Sequence, residues 1–199
     1  MGQELFAAFL VFAAVTLFTP GPNNVMLMAS GLNFGFRGAQ PHAWGVTLGF
    51  SFMVLVVGMG LGAVFAAIPL LYTILKYAGA AYLLYLAWSI AVSGPVKEGE
   101  ARRRPMTFLD AAAFQWINPK GWVMAIGGVS TYAGIFAFPF NMLTIALVFG
   151  GLGILSSWTW VLFGSVLRPF LANPRIVRVF NLTMAAGLVA SLVPVFLEG

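Results

Sequence analysis

The chain has 199 residues, of which 61% are hydrophobic and only 8% charged, with a mean hydropathy of +0.96. A soluble domain carries about 25% charged residues, so this composition excludes a water-soluble globular protein and predicts an all-α, polytopic integral membrane protein. Cysteine is absent and histidine occurs once, which excludes disulfides, thiolate metal sites and a histidine metal cage; the net charge of +5 lies in loops, where it reports membrane orientation and not nucleic-acid binding.

Six transmembrane helices are predicted in chain order. The first runs from about Leu5 to Leu32 and is interrupted by Thr19-Pro20-Gly21-Pro22-Asn23-Asn24. Proline lacks an N–H and clashes with the preceding helical turn, so Pro20 and Pro22 free backbone groups inside an apolar segment. Lipid cannot satisfy them, and such a break is tolerated only where protein or a water-filled cavity does. A new half-helix is expected to start near Pro22 or Asn23, with its N–H groups suited to a carboxylate or phosphate. Met1-Gly2-Gln3-Glu4 is acidic and the apolar stretch runs on past Thr19, so a cleaved signal peptide is not expected.

The second span is predicted from His42 to Ala67, with Pro41 at a helix start. The third covers Leu70 to Val92 after Pro69. A polar linker, 94–105, carries Lys97, Glu98, Glu100, Arg102, Arg103 and Arg104. The fourth span, Phe108 to Tyr132, is interrupted by Asn118-Pro119-Lys120. The fifth runs from Phe140 to Val166, and the sixth from Arg175 to Leu197 behind Asn173 as N-cap and Pro174 at the first helical position.

Loop charge sets the orientation. Arg37, the four basic residues of the linker, and Arg168, Arg175 and Arg178 fall in alternate loops, and the remaining two loops hold no Lys or Arg. The basic loops are therefore expected in the cytoplasm, with both termini outside a cytoplasmic (inner) membrane. The single transport domain, 1–199, divides at the linker into halves of about 1–93 and 106–199, each with three spans and each opening on a broken helix. An odd number of spans per half makes the halves opposite in topology. The expected architecture is a 3+3 inverted repeat with helices 1 and 4 broken near the midplane, which points to a substrate site between the breaks.

The residues expected to bind substrate are Thr19, Pro20, Gly21, Pro22, Asn23 and Asn24 from the first break, and Gln115, Asn118, Pro119 and Lys120 from the second. A Lys at the middle of a span costs roughly 2.5–3.5 kcal/mol on insertion scales and marks function by default. The functional reading gives Lys120 a substrate carboxylate to hold, and the competing reading satisfies it with carbonyls freed at the break. Asn23, Asn24 and the unwound carbonyls of Thr19 to Gly21 are expected to take an ammonium. Gln115 is read equally as a cavity residue or as a contact between helices. His42 is a candidate for a pH-sensitive gate, against a structural role near the interface. Asp110 is a candidate proton carrier, although Thr107-Phe108-Leu109-Asp110 also fits a capping box, the stronger reading. Lys76 is expected to snorkel as an anchor, and the glycine clusters Gly45/Gly49, Gly58/Gly60/Gly62 and Gly150/Gly151/Gly153 to permit close helix packing. No nucleophile elbow, P-loop, HExxH motif or carboxylate pair is present, so neither an enzyme, a cofactor nor a metal is expected.

With Thr19-Pro20-Gly21-Pro22-Asn23-Asn24, Gly35-Phe36-Arg37 with Pro41-His42, Gly79-Ala80-Ala81-Tyr82-Leu83 and Asn118-Pro119-Lys120 in hand, the chain resembles the LysE/RhtB family of amino acid exporters over nearly its whole length. The resemblance implies efflux of amino acids or close derivatives, driven by a proton or charge gradient; Asp110 is not carried over from the family pattern. The scarcity of charge in the spans favours neutral amino acids, because a dibasic substrate would want an acid at mid-depth. The expected partners are a small-molecule amino acid and the lipid bilayer, with a second copy of the chain as a homodimer. An uncoupled facilitator for small polar solutes and a non-transporting membrane subunit are the alternatives.

Overall fold

The computed structural model describes residues 2–61, 67–92, 105–167 and 174–190. The described residues are helical, with no strand among them. In chain order they form α1 (Gly2–Phe18), α2 (Pro22–Gly38), α3 (Gln40–Val56), a π-helical turn (Val57–Leu61), α4 (Pro69–Ala91), α5 (Phe108–Phe114), a 3-10 turn (Gln115–Ile117), α6 (Pro119–Tyr132), a second 3-10 turn (Ala133–Ile135), α7 (Phe140–Leu167) and α8 (Pro174–Ala190). The linker at 93–104, Arg168, Asn173, residues 191–199 and the side chain of Lys76 lie outside the described residues, so the expectations placed on them have no structural counterpart.

Both expected breaks are present. Helix α1 stops at Phe18 and α2 starts at Pro22, bent by 52° from it. Gly21 supplies the extended link, and the two prolines withhold the N–H groups that would have continued the ladder. The second break is a 3-10 turn followed by Asn118 in extended conformation (φ −82°, ψ 108°), and α6 restarts at Pro119. Two described helices, Gln40–Gly60 and Phe140–Leu167, are each long and apolar enough to cross a membrane; the bent pair α1–α2 makes a third if taken as one span.

Helix α7 is the post of the bundle. Helix α2 packs along it most extensively, α3 lies against both α7 and α5, and α4 pairs with α8. Small residues make these approaches possible, as expected for helices packing in lipid. A β-carbon on Gly31 would run into the Val161 carbonyl, and one on Gly164 into the Met28 carbonyl. The α2–α7 crossing is therefore backbone against backbone from both sides. Gly45 and Gly49 play the same part for α3 against Phe108 and Ala112 of α5. Near its end α2 is interrupted at Gly35, whose φ of 73° suits only a residue without a β-carbon.

One cluster of buried aromatics fills the space between α1, α3, α6 and α7. Phe149 meets Phe9 and Phe50 edge-on, each at 5.3 Å between ring centroids, and Phe9 also contacts Tyr132 at 5.1 Å. Edge-to-face pairs contribute about 0.5–1.5 kcal/mol each beyond the area they bury. The polar residues of the two breaks lie beside this cluster, so the packed rings fix the positions of the helix ends that frame the site.

Candidate functional site

The first break frees carbonyls, and side chains from elsewhere fill them. Without a continuing ladder, the Leu17 and Thr19 carbonyls need donors. Asn24 donates from its amide nitrogen to both, at 3.0 and 2.8 Å. Ser156 of α7 donates to Leu17 at 2.8 Å, and the Lys120 ammonium donates to the Thr19 carbonyl at 2.6 Å. Thr19 itself folds back on Val15 through its hydroxyl, at 2.6 Å.

The second break is tied to the first. Gln115, fully buried, exchanges two hydrogen bonds with Asn23: Asn23 donates to Oε1 at 2.8 Å and Gln115 donates to Oδ1 at 3.1 Å. Gln115 also donates to the Ala111 carbonyl at 2.9 Å, and the Trp122 indole closes the Trp116 carbonyl at 2.9 Å. Asn118 occupies the N-cap position of α6, where an Asn side chain ordinarily accepts from the first-turn N–H groups. Here it makes no such bond. Among the described residues its Oδ1 is a buried acceptor without a partner, on a residue only 2% exposed. A buried acceptor of this kind calls for a donor.

A cavity of about 30 Å³ lies between the two breaks and the α3–α7 face. On the break side it is lined by Gly21, Asn23, Asn24, Asn118, Lys120 and Gly121; on the far side by Thr47 and Phe50 of α3 and by Phe149, Gly153, Ser156 and Ser157 of α7. Among the described residues Lys120 is the one charged group lining the cavity, and no acid lines it. Its side chain lies over Gly21, where a β-carbon would stand 2.8 Å from Cδ and 2.9 Å from Nζ. Two helix N-termini, of α2 and α6, open toward this region with Lys120 between them, so three sources of positive potential converge. At 30 Å³ the cavity has room for about two waters, and the helices are drawn in around it.

Of the ten residues expected at the site, five line the cavity: Gly21, Asn23, Asn24, Asn118 and Lys120. Thr19, Pro20, Pro22, Gln115 and Pro119 shape or tie the breaks without lining it. Thr19 and Pro20 are exposed. Asn23 is paired with Gln115, and both donors of Asn24 are spent on carbonyls, leaving its Oδ1 for the cavity. Gln115 is the contact between helices and not a cavity residue. Lys120 has the carbonyl partner of the competing reading and also lines the cavity. His42 and Asp110 lie elsewhere. His42 is buried on α3, its Nδ1 2.7 Å from the Ser30 hydroxyl. Asp110 is exposed and forms a reciprocal capping box with Thr107: its N–H donates to the Thr107 hydroxyl at 3.2 Å, and its carboxylate accepts from the Thr107 N–H at 3.3 Å and hydroxyl at 2.7 Å. Thr47, Ser156 and Ser157 were not singled out by motif. The signal available for them was hydroxyls inside otherwise apolar spans, Thr47 between Gly45 and Gly49 and the Ser156-Ser157 doublet just after Gly153.

Helices that stop and restart within an apolar bundle, with their free ends turned to a common polar cavity, are the build of a membrane transporter. Comparison with known proteins gives the family. The chain belongs to the LysE type translocator family, whose model matches residues 14–197. It is 35% identical over 133 residues to the cysteine/O-acetylserine efflux protein of Escherichia coli (strain UTI89 / UPEC), covering 66% of this chain and 67% of that one. The protein of the same description from Shigella sonnei (strain Ss046) matches to the same extent. No solved structure matches. The protein is thus a membrane translocator of the LysE type.

Proposed function

We propose that this chain is a proton-coupled exporter of small neutral amino acids or their close derivatives, and that the substrate binds in the cavity between the two breaks. The observation that carries this reading is the pairing of Lys120, between two helix N-termini, with the Oδ1 of Asn118, which has no partner among the described residues, in a cavity that no described acid lines. A zwitterion matches that arrangement. Its carboxylate takes the Lys120 ammonium away from the Thr19 carbonyl and faces the first-turn N–H groups of α2. Its ammonium donates to Asn118 Oδ1 and Asn24 Oδ1. A dibasic amino acid finds no counter-charge, which supports the neutral preference. Cysteine and O-acetylserine, named for the relatives, are the first substrates to try.

The architecture that goes with this reading has six spans. Helices α1–α2 form the first and α5–α6 the fourth, in inverted halves of about 1–93 and 106–199 joined by a cytoplasmic linker. The termini face outward and the substrate site lies near the midplane of the inner membrane. The loop charge, with every Lys and Arg of the loops on one side, supports the orientation. A homodimer is the proposed assembly. His42, bonded to Ser30 at the start of α3, is proposed as the pH-sensitive element, ahead of Asp110, whose carboxylate is engaged in a cap.

The test is efflux from proteoliposomes preloaded with a mixture of labelled neutral and basic amino acids, with and without an imposed proton gradient. Selective, gradient-driven loss of neutral amino acids is the expected result. Gradient-independent loss would make the protein a facilitator, and no loss from a folded preparation would remove the reading.

A further inference from the structure

Many of the described hydroxyl groups satisfy themselves on their own helix. Thr16, Thr19, Ser130, Thr159, Ser165 and Thr183 each donate to the carbonyl four residues earlier on their own helix, at 2.6–2.9 Å. That back-bond is the default for a hydroxyl in an apolar helix, because it satisfies the O–H without any other partner. Thr47 and Ser157 do not use it. Their oxygens meet each other across the α3–α7 interface at 3.0 Å. Both are buried, at 3% and 4% exposure, and both line the cavity. Their neighbour Ser156 is committed to the Leu17 carbonyl.

A hydroxyl has one donor and two acceptor positions. A bond between two hydroxyls uses one donor and one acceptor, leaving one O–H and three acceptor positions uncommitted in a buried place. The surroundings allow only a small group to use them. Phe50, Phe149 and Val46 make the adjoining wall apolar, and a β-carbon at Gly153 would come within 3.3 Å of Thr47 Cγ2. The charged end of the cavity is opposite, at Lys120.

We propose that the Thr47–Ser157 hydroxyl pair is the specificity determinant of the exporter: it receives the substrate's side chain and selects one that is small, uncharged and hydrogen-bonding, such as a hydroxyl, thiol or short ester. This rests on the reading that the cavity binds the amino acid, with the carboxylate and ammonium at the breaks. The free O–H donates to an oxygen or sulfur of the side chain, and the spare lone pairs accept from it. A cationic side chain finds no acid here, and a large apolar one finds neither volume nor a partner for the remaining O–H.

The experiment compares serine with its near-isosteric apolar counterpart 2-aminobutyrate as labelled solutes in proteoliposomes. It uses the full-length protein and the double variant Thr47→Val with Ser157→Ala, which keeps the volume at residue 47 and removes both hydroxyls. The expected result is that wild type exports serine in preference, and that the variant loses roughly tenfold or more of that preference while still exporting 2-aminobutyrate, since a site built to hydrogen-bond a group discriminates by leaving its own polar atoms unpaired. Thr47→Ser, which retains the hydroxyl, should keep the serine preference. An unchanged ratio in the double variant, or equal loss of both solutes, would overturn the proposal by reducing the pair to a packing contact. Wild type that exports neither solute would instead overturn the cavity reading beneath it, so the two failures are distinct.

Discussion

The two broken helices solve the same problem differently. At the first break, between α1 and α2, the freed carbonyls are closed by donors from three places: Asn24 on α2, Ser156 on α7 and Lys120 on α6. At the second, between α5 and α6, the backbone is closed locally by a 3-10 turn and the Trp122 indole, and the Asn118 carboxamide oxygen is left over. The first break is thus a stitched joint and the second holds a vacant acceptor. Stitching maintains a shape, whereas an acceptor that lines a cavity can take a donor from a ligand placed there. The two Asn residues that begin or precede the restarted helices look alike in sequence, yet one is spent on the carbonyls of its own break and the other keeps an acceptor that no described donor meets.

That contrast can be broken by substitution. The largest effect is expected at Lys120, the charged group that joins the two breaks. Lys120→Met should abolish export while the protein still purifies folded and monodisperse in detergent; normal efflux by a well-expressed variant would show that the cation is only a strut for the Thr19 carbonyl. Asn118→Ala comes next: export should fall by roughly tenfold or more with thermal stability little changed, since no described group bonds to its Oδ1. A clear loss of stability there would mean that Asn118 is stitched after all.

Asn24→Ala should behave in the opposite way. It removes two hydrogen bonds while each carbonyl keeps its other donor, Ser156 or Lys120, so an unfolding titration in detergent should show destabilisation of about 2 kcal/mol, at about 1 kcal/mol per bond lost. The clasp between the breaks should give a smaller number. In a double-mutant cycle with Asn23→Ala and Gln115→Ala, the coupling should be about 0.5–1.5 kcal/mol, and additive effects would mean that the breaks are held by packing alone. The smallest effect is expected from Thr107→Ala, which removes the capping box far from the cavity. Stability should drop by about 1 kcal/mol with export per folded protein unchanged; a change in proton-driven rate would return Asp110 to the mechanism.

Much of this was legible in the chain itself. Proline has no N–H, so the breaks at Pro20/Pro22 and Pro119 could be placed without coordinates, and α2 and α6 begin at Pro22 and Pro119 as that rule requires. Thr107 and Asp110 lie three residues apart, so their capping box was also a local matter. A lysine between apolar stretches marks itself by its insertion cost, which is why Lys120 stands out in the sequence; that it lines the cavity is a feature of the folded structure. All of these follow from interactions within one or two turns of the chain.

The remainder depended on which groups meet across helices. Asn23 and Asn24 are adjacent, but only the packed bundle decides that one pairs with Gln115, 92 residues away, and that the other closes the carbonyls of its own break. Thr47 and Ser157 carry no motif, and their separation of 110 residues hides their pairing. The α2–α7 crossing that brings the breaks beside the α3–α7 face requires Gly31 to face the Val161 backbone and Gly164 the Met28 backbone, and glycines in apolar helices do not announce their partner. The sequence by itself determined that the protein is helical, membrane-embedded and twice broken, because these follow from transfer free energy and from proline's missing donor. Tertiary structure alone decided which polar atoms are spent and which are free, because a hydrogen bond is satisfied by whichever group the packing brings within about 3 Å.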